Sequence, residues 1–166
     1  MQFKAGDCVV HPAHGVGHVR RLEERRLAED EPRLYYVIVA DKATLWVPVD
    51  PQQATQLREL TPRRDLEHYR DLLKSSPVSL QKDHYKRRLE IAERLKQGSF
   101  EALCAVVRDL TARGRKKLLN EADASLLQKI RLDLCREWAA SAGVSLAEAI
   151  HEVDSLLQEG REASVA

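Results

Sequence analysis

Val9-Val10-His11-Pro12-Ala13-His14-Gly15-Val16-Gly17-His18-Val19 is the stretch whose reading decides the first third of the chain. A β-branched pair fits a pleated, half-buried surface. Pro12 has no amide hydrogen for a sheet ladder, and Gly15 and Gly17 accept backbone angles closed to other residues. The pattern predicts a strand, a sharp corner and a second strand leaving it.

Working outward, the second strand runs from Gly15 to Glu24 and ends in charge. Arg25 to Arg33, with Glu29-Asp30-Glu31-Pro32, is too charged to pack and reads as a hairpin tip. Leu34-Tyr35-Tyr36-Val37-Ile38-Val39 is the strongest strand signal in the chain. Asp41-Lys42 makes a turn into its partner, Thr44-Leu45-Trp46-Val47-Pro48-Val49, where Pro48 marks an end or an edge. Leu57 to Leu60 is a short closing strand. Five short strands with tight connections give a small SH3-like or Tudor-like β-barrel over residues 1–60.

The character changes at Thr61-Pro62, where a hydroxyl cap followed by proline predicts a helix start. Leu66, Tyr69, Leu72 and Leu73 share one side of the first helix, which Ser75-Ser76-Pro77 breaks. Leu80 to Gln97 reads as a second helix with Tyr85, Leu89, Ala92 and Leu95 inward, stopped by Gly98. Ser99 caps a third, with Phe100, Leu103, Cys104, Val107 and Leu110 inward and Gly114 at its end. A long helix over Asn120–Ala142 places Leu127, Ile130, Leu134 and Trp138 at core spacing. Ser145-x-x-Glu148 is a capping box that opens the last helix, with Leu146, Ile150, Val153 and Leu157 inside. The fold class is therefore α+β with segregated domains: the barrel, an all-helical bundle of about five helices over 61–160, and a frayed tail over 161–166.

Composition narrows function by exclusion. The 166 residues contain no apolar run long enough for a transmembrane helix, and Lys4 and Asp7 interrupt any hydrophobic signal segment. Three dispersed cysteines fit buried thiols in a reducing compartment, so the chain reads as cytoplasmic. Net charge is +1, yet Gln81 to Lys117 carries eleven Lys/Arg against five acids, a local excess of +6. No nucleophile elbow, phosphate loop, dinucleotide fingerprint or His-Glu-x-x-His occurs, so no enzyme activity and no cofactor is expected. Cys8, His11, His14 and His18 have short, zinc-like spacing, but strand alternation scatters them and no second ligand pair follows, so no metal is expected. Trp138 falls on a core stripe. Either Leu45 or Trp46 faces the barrel core and the other points out, where an outward Trp46 is an interface anchor. Lys82-Asp83-His84-Tyr85-Lys86-Arg87-Arg88 combines cations for phosphates with two flat rings that can stack on an unpaired base.

The opening Phe3-Lys4-Ala5-Gly6-Asp7-Cys8-Val9-Val10-His11-Pro12-Ala13-His14-Gly15-Val16-Gly17 resembles that of the CarD/CdnL family of bacterial transcription regulators. It is also similar to the RNA-polymerase-interacting module of transcription-repair coupling factors, whose helicase motifs this chain lacks. Tyr35-Tyr36-Val37, Val47-Pro48-Val49, Leu57-Arg58-Glu59, Arg87-Arg88, Leu95, Gly98 and Val106-Val107-Arg108-Asp109-Leu110 extend the CarD/CdnL likeness over nearly the whole chain.

The resemblance implies a barrel that docks on the N-terminal lobes of the RNA polymerase β subunit. It implies a helical domain that touches promoter DNA at the upstream edge of the melted bubble, weakly and largely without sequence specificity, and so holds the open complex. Arg25 aligns with a basic polymerase contact, and Trp46, with Pro48 beside it, stands where some relatives place a second arginine. His84 occupies the position of a tryptophan wedge in relatives, and imidazole wedges poorly because it buries less apolar surface. Lys86, Arg87 and Lys129 match basic positions, and Arg88 extends the run. The implied DNA grip is more electrostatic than that of relatives. Two alternatives stand beside this reading: an interaction adaptor without DNA contact, and a metal-dependent sensor built on Cys8 and its neighbouring histidines.

Overall fold

The computed structural model describes residues 2–26, 31–50 and 57–165. The chain forms two compact units, Met1–Leu60 and Thr61–Ala166.

The first unit is one antiparallel sheet of β1 (Cys8–His11), β2 (Gly15–Arg25), β3 (Arg33–Ala40), β4 (Ala43–Pro48) and β5 (Arg58–Glu59), in the order β4-β3-β2-β1-β5. The quoted corner is the β1–β2 hairpin, with His11 opposite Gly15 and Val9 opposite Gly17. Gly15 has φ 72°, in the left-handed region that favours glycine. Gly17 is needed for a different reason: a Cβ there would lie 2.8 Å from Ile38 Cγ2 and 3.0 Å from the Val39 carbonyl oxygen. His11 Nδ1 accepts hydrogen bonds from the amides of Ala13 and His14, at 3.0 and 3.2 Å, so that ring closes the turn. Burial, and then the neighbouring His14, lower its pKa. Among the described residues no three His, Cys, Asp or Glu side chains converge as a metal site.

Phe3, Val9, Val19, Tyr36, Ile38 and Val47 fill the core of this unit. The edge of the Phe3 ring meets Tyr36, centroids 5.7 Å apart, and the Phe3 amide donates to the Tyr36 hydroxyl at 3.2 Å. The expected hairpin tip falls partly on residues 27–30, outside the described residues; its flanks, Arg25 and Arg33, are paired strand residues.

The second unit begins with a short 3-10 turn, Arg63–Asp65, followed by α1 (Leu66–Lys74), α2 (His84–Leu95), α3 (Phe100–Lys116), α4 (Glu121–Ala142) and α5 (Leu146–Val165). Leu66, Leu73, Ile91, Phe100, Leu110, Ile130, Leu134, Trp138 and Val153 are among its buried core. Caps follow the sequence at most junctions. Ser99 Oγ accepts from the Ala102 amide at 3.1 Å, Asn120 Oδ1 accepts from Asp123 at 2.7 Å, and Gly143 closes α4 at φ 71°. Ser145 Oγ accepts from the Glu148 amide at 3.1 Å and donates to that residue's carboxylate.

Four expectations are corrected. Thr61 does not cap: its hydroxyl and amide both donate to Glu137 Oε2, at 2.6 and 3.2 Å, because both residues are buried and the carboxylate needs donors. α3 continues through Gly114 to Lys116. α5 continues as helix through Gly160 to Val165, past the expected helical boundary at 160. At Gly160 a Cβ would lie 2.9 Å from the Lys74 carbonyl oxygen, so glycine lets α5 press on the end of α1. In α5 the buried set is Ala149, Val153, Leu156 and Leu157, while Leu146 is exposed. Cys104 and Cys135 are buried, and burial pushes the Cys135 thiol up to about 11.

Candidate polymerase and nucleic-acid faces

On the first unit, sheet register decides the fate of Trp46. Val47 pairs with Tyr36 and is buried, so Trp46, opposite Val37, takes the other face and is 41% exposed. Arg21 also stands opposite Val37, and Glu23 opposite Tyr35, which pairs with Pro48. Period-two alternation therefore puts Arg21, Glu23, Arg25, Trp46 and Pro48 on one face. The Arg25 guanidinium carbon lies 4.6 Å from the Trp46 ring centroid, a cation–π stack. The indole Nε1 donates to Glu23 Oε2 at 2.8 Å. The ring is thus held in one pose, with an unburied apolar face and a cation against it. Leu45, the inward alternative, packs on the core.

On the second unit, the basic run opens α2. Asp83 caps it, accepting from the Lys86 amide at 3.0 Å. His84, Lys86 and Arg88 are exposed, and Tyr85 and Leu89 are 66% and 59% exposed. Of the expected inward stripe, Tyr85, Leu89 and Ala92 are therefore on the solvent face, while Leu95 packs on the core. Arg87, Ile91 and Arg94 point inward at the same i, i+4, i+7 spacing. Arg87 is 4% exposed. Its Nε donates to Asp123 Oδ2 at 2.8 Å, and the adjoining guanidinium nitrogen stands 2.8 Å from the same oxygen in an ion pair. Its remaining nitrogen donates to the Gln81 and Lys82 carbonyls at 3.1 and 3.0 Å. This residue was expected to meet phosphate; the structure commits it to Asp123 and the helix entry instead.

The Val106-Val107-Arg108-Asp109-Leu110 motif has a similar structural role. Asp109 is buried and accepts from Arg94 at 2.8 Å, from Arg108 at 2.9 Å and from the Val78 amide at 2.9 Å. Arg108 also donates to Ser75 Oγ at 2.7 Å. The motif clamps the α1–α2 connection and the end of α2 onto α3.

One open cleft of about 360 Å³ gathers Lys82, His84, Arg113, Lys117 and Leu118, with the capping Asp83 at its edge. Leu118 is 95% exposed. It is an apolar tip on the α3–α4 loop among cations, and the sequence reading missed it. The signal was present in Leu118-Leu119 just before the Asn120 cap: Leu119 packs on the core, which leaves its neighbour outside. Lys129 is exposed but held by Asp133 at 3.3 Å, and it does not line this cleft.

Each unit matches a family model. Residues 3–61 match the family model for the CarD-like/TRCF RID domain, and residues 69–154 match that for the CarD C-terminal domain. A protein of Bacillus subtilis (strain 168) named "Putative transcription factor YdeB" is 25% identical over 145 residues, covering 86% of this chain and 94% of its own. The chain belongs to the CarD family, and with that to transcription regulators that interact with RNA polymerase.

Breaking the Arg87–Asp123 pair tests which face of α2 is structural. Asp123→Ala should lower unfolding stability in urea by about 3–5 kcal/mol, because it strands a buried guanidinium. Arg87→Met combined with Asp123→Leu should recover much of that loss. A loss below about 1 kcal/mol for Asp123→Ala, the range of exposed pairs, would put Arg87 back on the surface.

Proposed function

We propose that this protein docks on the β subunit of bacterial RNA polymerase through the Arg25–Trp46–Pro48 face. In this reading the helical unit holds promoter DNA at the upstream edge of the melted bubble, stabilising the open complex. The observation that carries it is the fixed Arg25–Trp46 stack within the domain matched to the CarD-like/TRCF RID family. A rigid aromatic with an adjacent arginine is the composition of an interface hot spot.

DNA contact is assigned to Lys82, His84, Lys86, Arg88 and Lys117, with Lys129 as an outlying cation. Arg87 is left out because its donors are already used. His84 is a modest stacking surface. Leu118 supplies the apolar group best placed to enter between base steps, since partial unstacking needs an apolar wedge ringed by phosphate contacts. Cations dominate this face, so affinity should be strongly salt-dependent and weakly sequence-dependent.

Co-elution of the full chain with the N-terminal lobes of a β subunit checks the docking. The unaltered protein should co-elute, and Arg25→Glu should not, since the charge at the centre of the face is reversed. Failure of the unaltered protein to bind would remove the β subunit as partner. For DNA, Lys86→Glu combined with Arg88→Glu should flatten the log affinity against log salt slope for a promoter fork by about two phosphates' worth, roughly 1.4–1.8. An unchanged slope would leave the adaptor reading, with no DNA contact.

A further inference from the structure

A second basic cavity of about 290 Å³ lies in the helical unit, where the C-terminal parts of α1, α3 and α5 meet. Leu73, Pro77, Ala112 and Leu157 give it apolar walls, and Arg115, Lys116 and Arg161 give it cations. Among the described residues no carboxylate lines it. Arg108 reaches it too, with Nε donating to Asp109 and Nη1 to Ser75 Oγ. Arg115 donates to the Leu157 carbonyl at 3.3 Å, and Lys116 and Arg161 have no hydrogen bond or ion pair among the described residues. Burial, and then the facing Arg161, lower the Arg115 pKa. Arg115, Lys116 and Arg161, all exposed at its rim, thus line one cavity, with no carboxylate among its described lining residues. The wall beside them is fixed, because Gly160 seats the α5 backbone against the Lys74 carbonyl.

We propose that this cavity binds a small phosphate monoester carried on a compact apolar or aromatic body. Guanidinium pairs match the fork geometry of phosphate oxygens, and a dianion relieves both charges where a monoanion relieves one. The apolar walls give the rest of the ligand a place that fully hydrated inorganic phosphate cannot use. The volume, just below the usual range for ligand sites, fits a single ring system. The cavity shares no lining residue with the cleft around Leu118.

The test is titration of the isotope-labelled full chain with phenyl phosphate, followed by NMR at constant ionic strength. Saturable shifts should appear at the Ala112, Leu157 and Gly160 amides and at the Arg115 and Arg161 side chains. Inorganic phosphate should bind about tenfold more weakly, and phenol should leave these signals unmoved. Arg161→Gln, at an exposed position, should weaken phenyl phosphate about tenfold, as loss of a charge-assisted bond does. Arg115→Gln should do the same, with circular dichroism reporting its fold. Equal affinity for phenyl phosphate and inorganic phosphate would overturn the proposal, as would an unaffected Arg161→Gln. Displacement of phenyl phosphate by promoter-fork DNA would also overturn it, assigning these cations to backbone phosphates instead.

Discussion

The orientation of α2 depends on two buried ion pairs set seven residues apart on one helix face, Arg87–Asp123 and Arg94–Asp109, with Ile91 between them. Burying a charge is costly unless it is paired and hydrogen-bonded, and here both requirements are met at each end. Such pairs add little net stability over an apolar stripe. They do define a register: rotating α2 would strand the buried Arg87 and Asp123 at one end and take Arg94 from Asp109 at the other. That constraint turns Tyr85, Arg88 and Leu89 to solvent and leaves His84 and Lys86 accessible at the helix entry.

The same pairs explain where the sequence was legible and where it was not. The hairpin corner, the strand runs and most caps rest on local chemistry: a proline without a donor, a glycine at positive φ, a serine or asparagine oxygen meeting an amide. Those were readable. Apolar periodicity then chose Tyr85-Leu89-Ala92-Leu95 as the inward stripe of α2, of which only Leu95 packs on the core, because Arg87-Ile91-Arg94 has charges at both ends and looks solvated. Only the distant Asp109 and Asp123 make those arginines interior residues, and no local signal announces them. Thr61 was misread for a related reason, since its partner Glu137 lies far along the chain. Trp46 was undecided from alternation alone, and strand pairing with β3 settled it.

The two units hold their functional groups by different physics. On the sheet, cross-strand register and an indole hydrogen bond to Glu23 fix one aromatic–cation pair, so little side-chain entropy remains to be lost on docking. On the helical unit the groups are long, solvated cations around a small apolar tip, suited to a ligand read by charge and shape. Against the resemblance that implies a tryptophan wedge, this chain has His84 at that position and Leu118 on a neighbouring loop.

The central claim is that both faces act on one initiation complex, and the lifetime of a promoter open complex after competitor challenge tests it most directly. The account predicts that the unaltered protein prolongs that lifetime. It predicts that Arg25→Glu abolishes the effect, and that Lys86→Glu with Arg88→Glu abolishes it while polymerase binding persists. A lifetime unchanged by the protein, or prolonged equally by the helical-face variant, would contradict it.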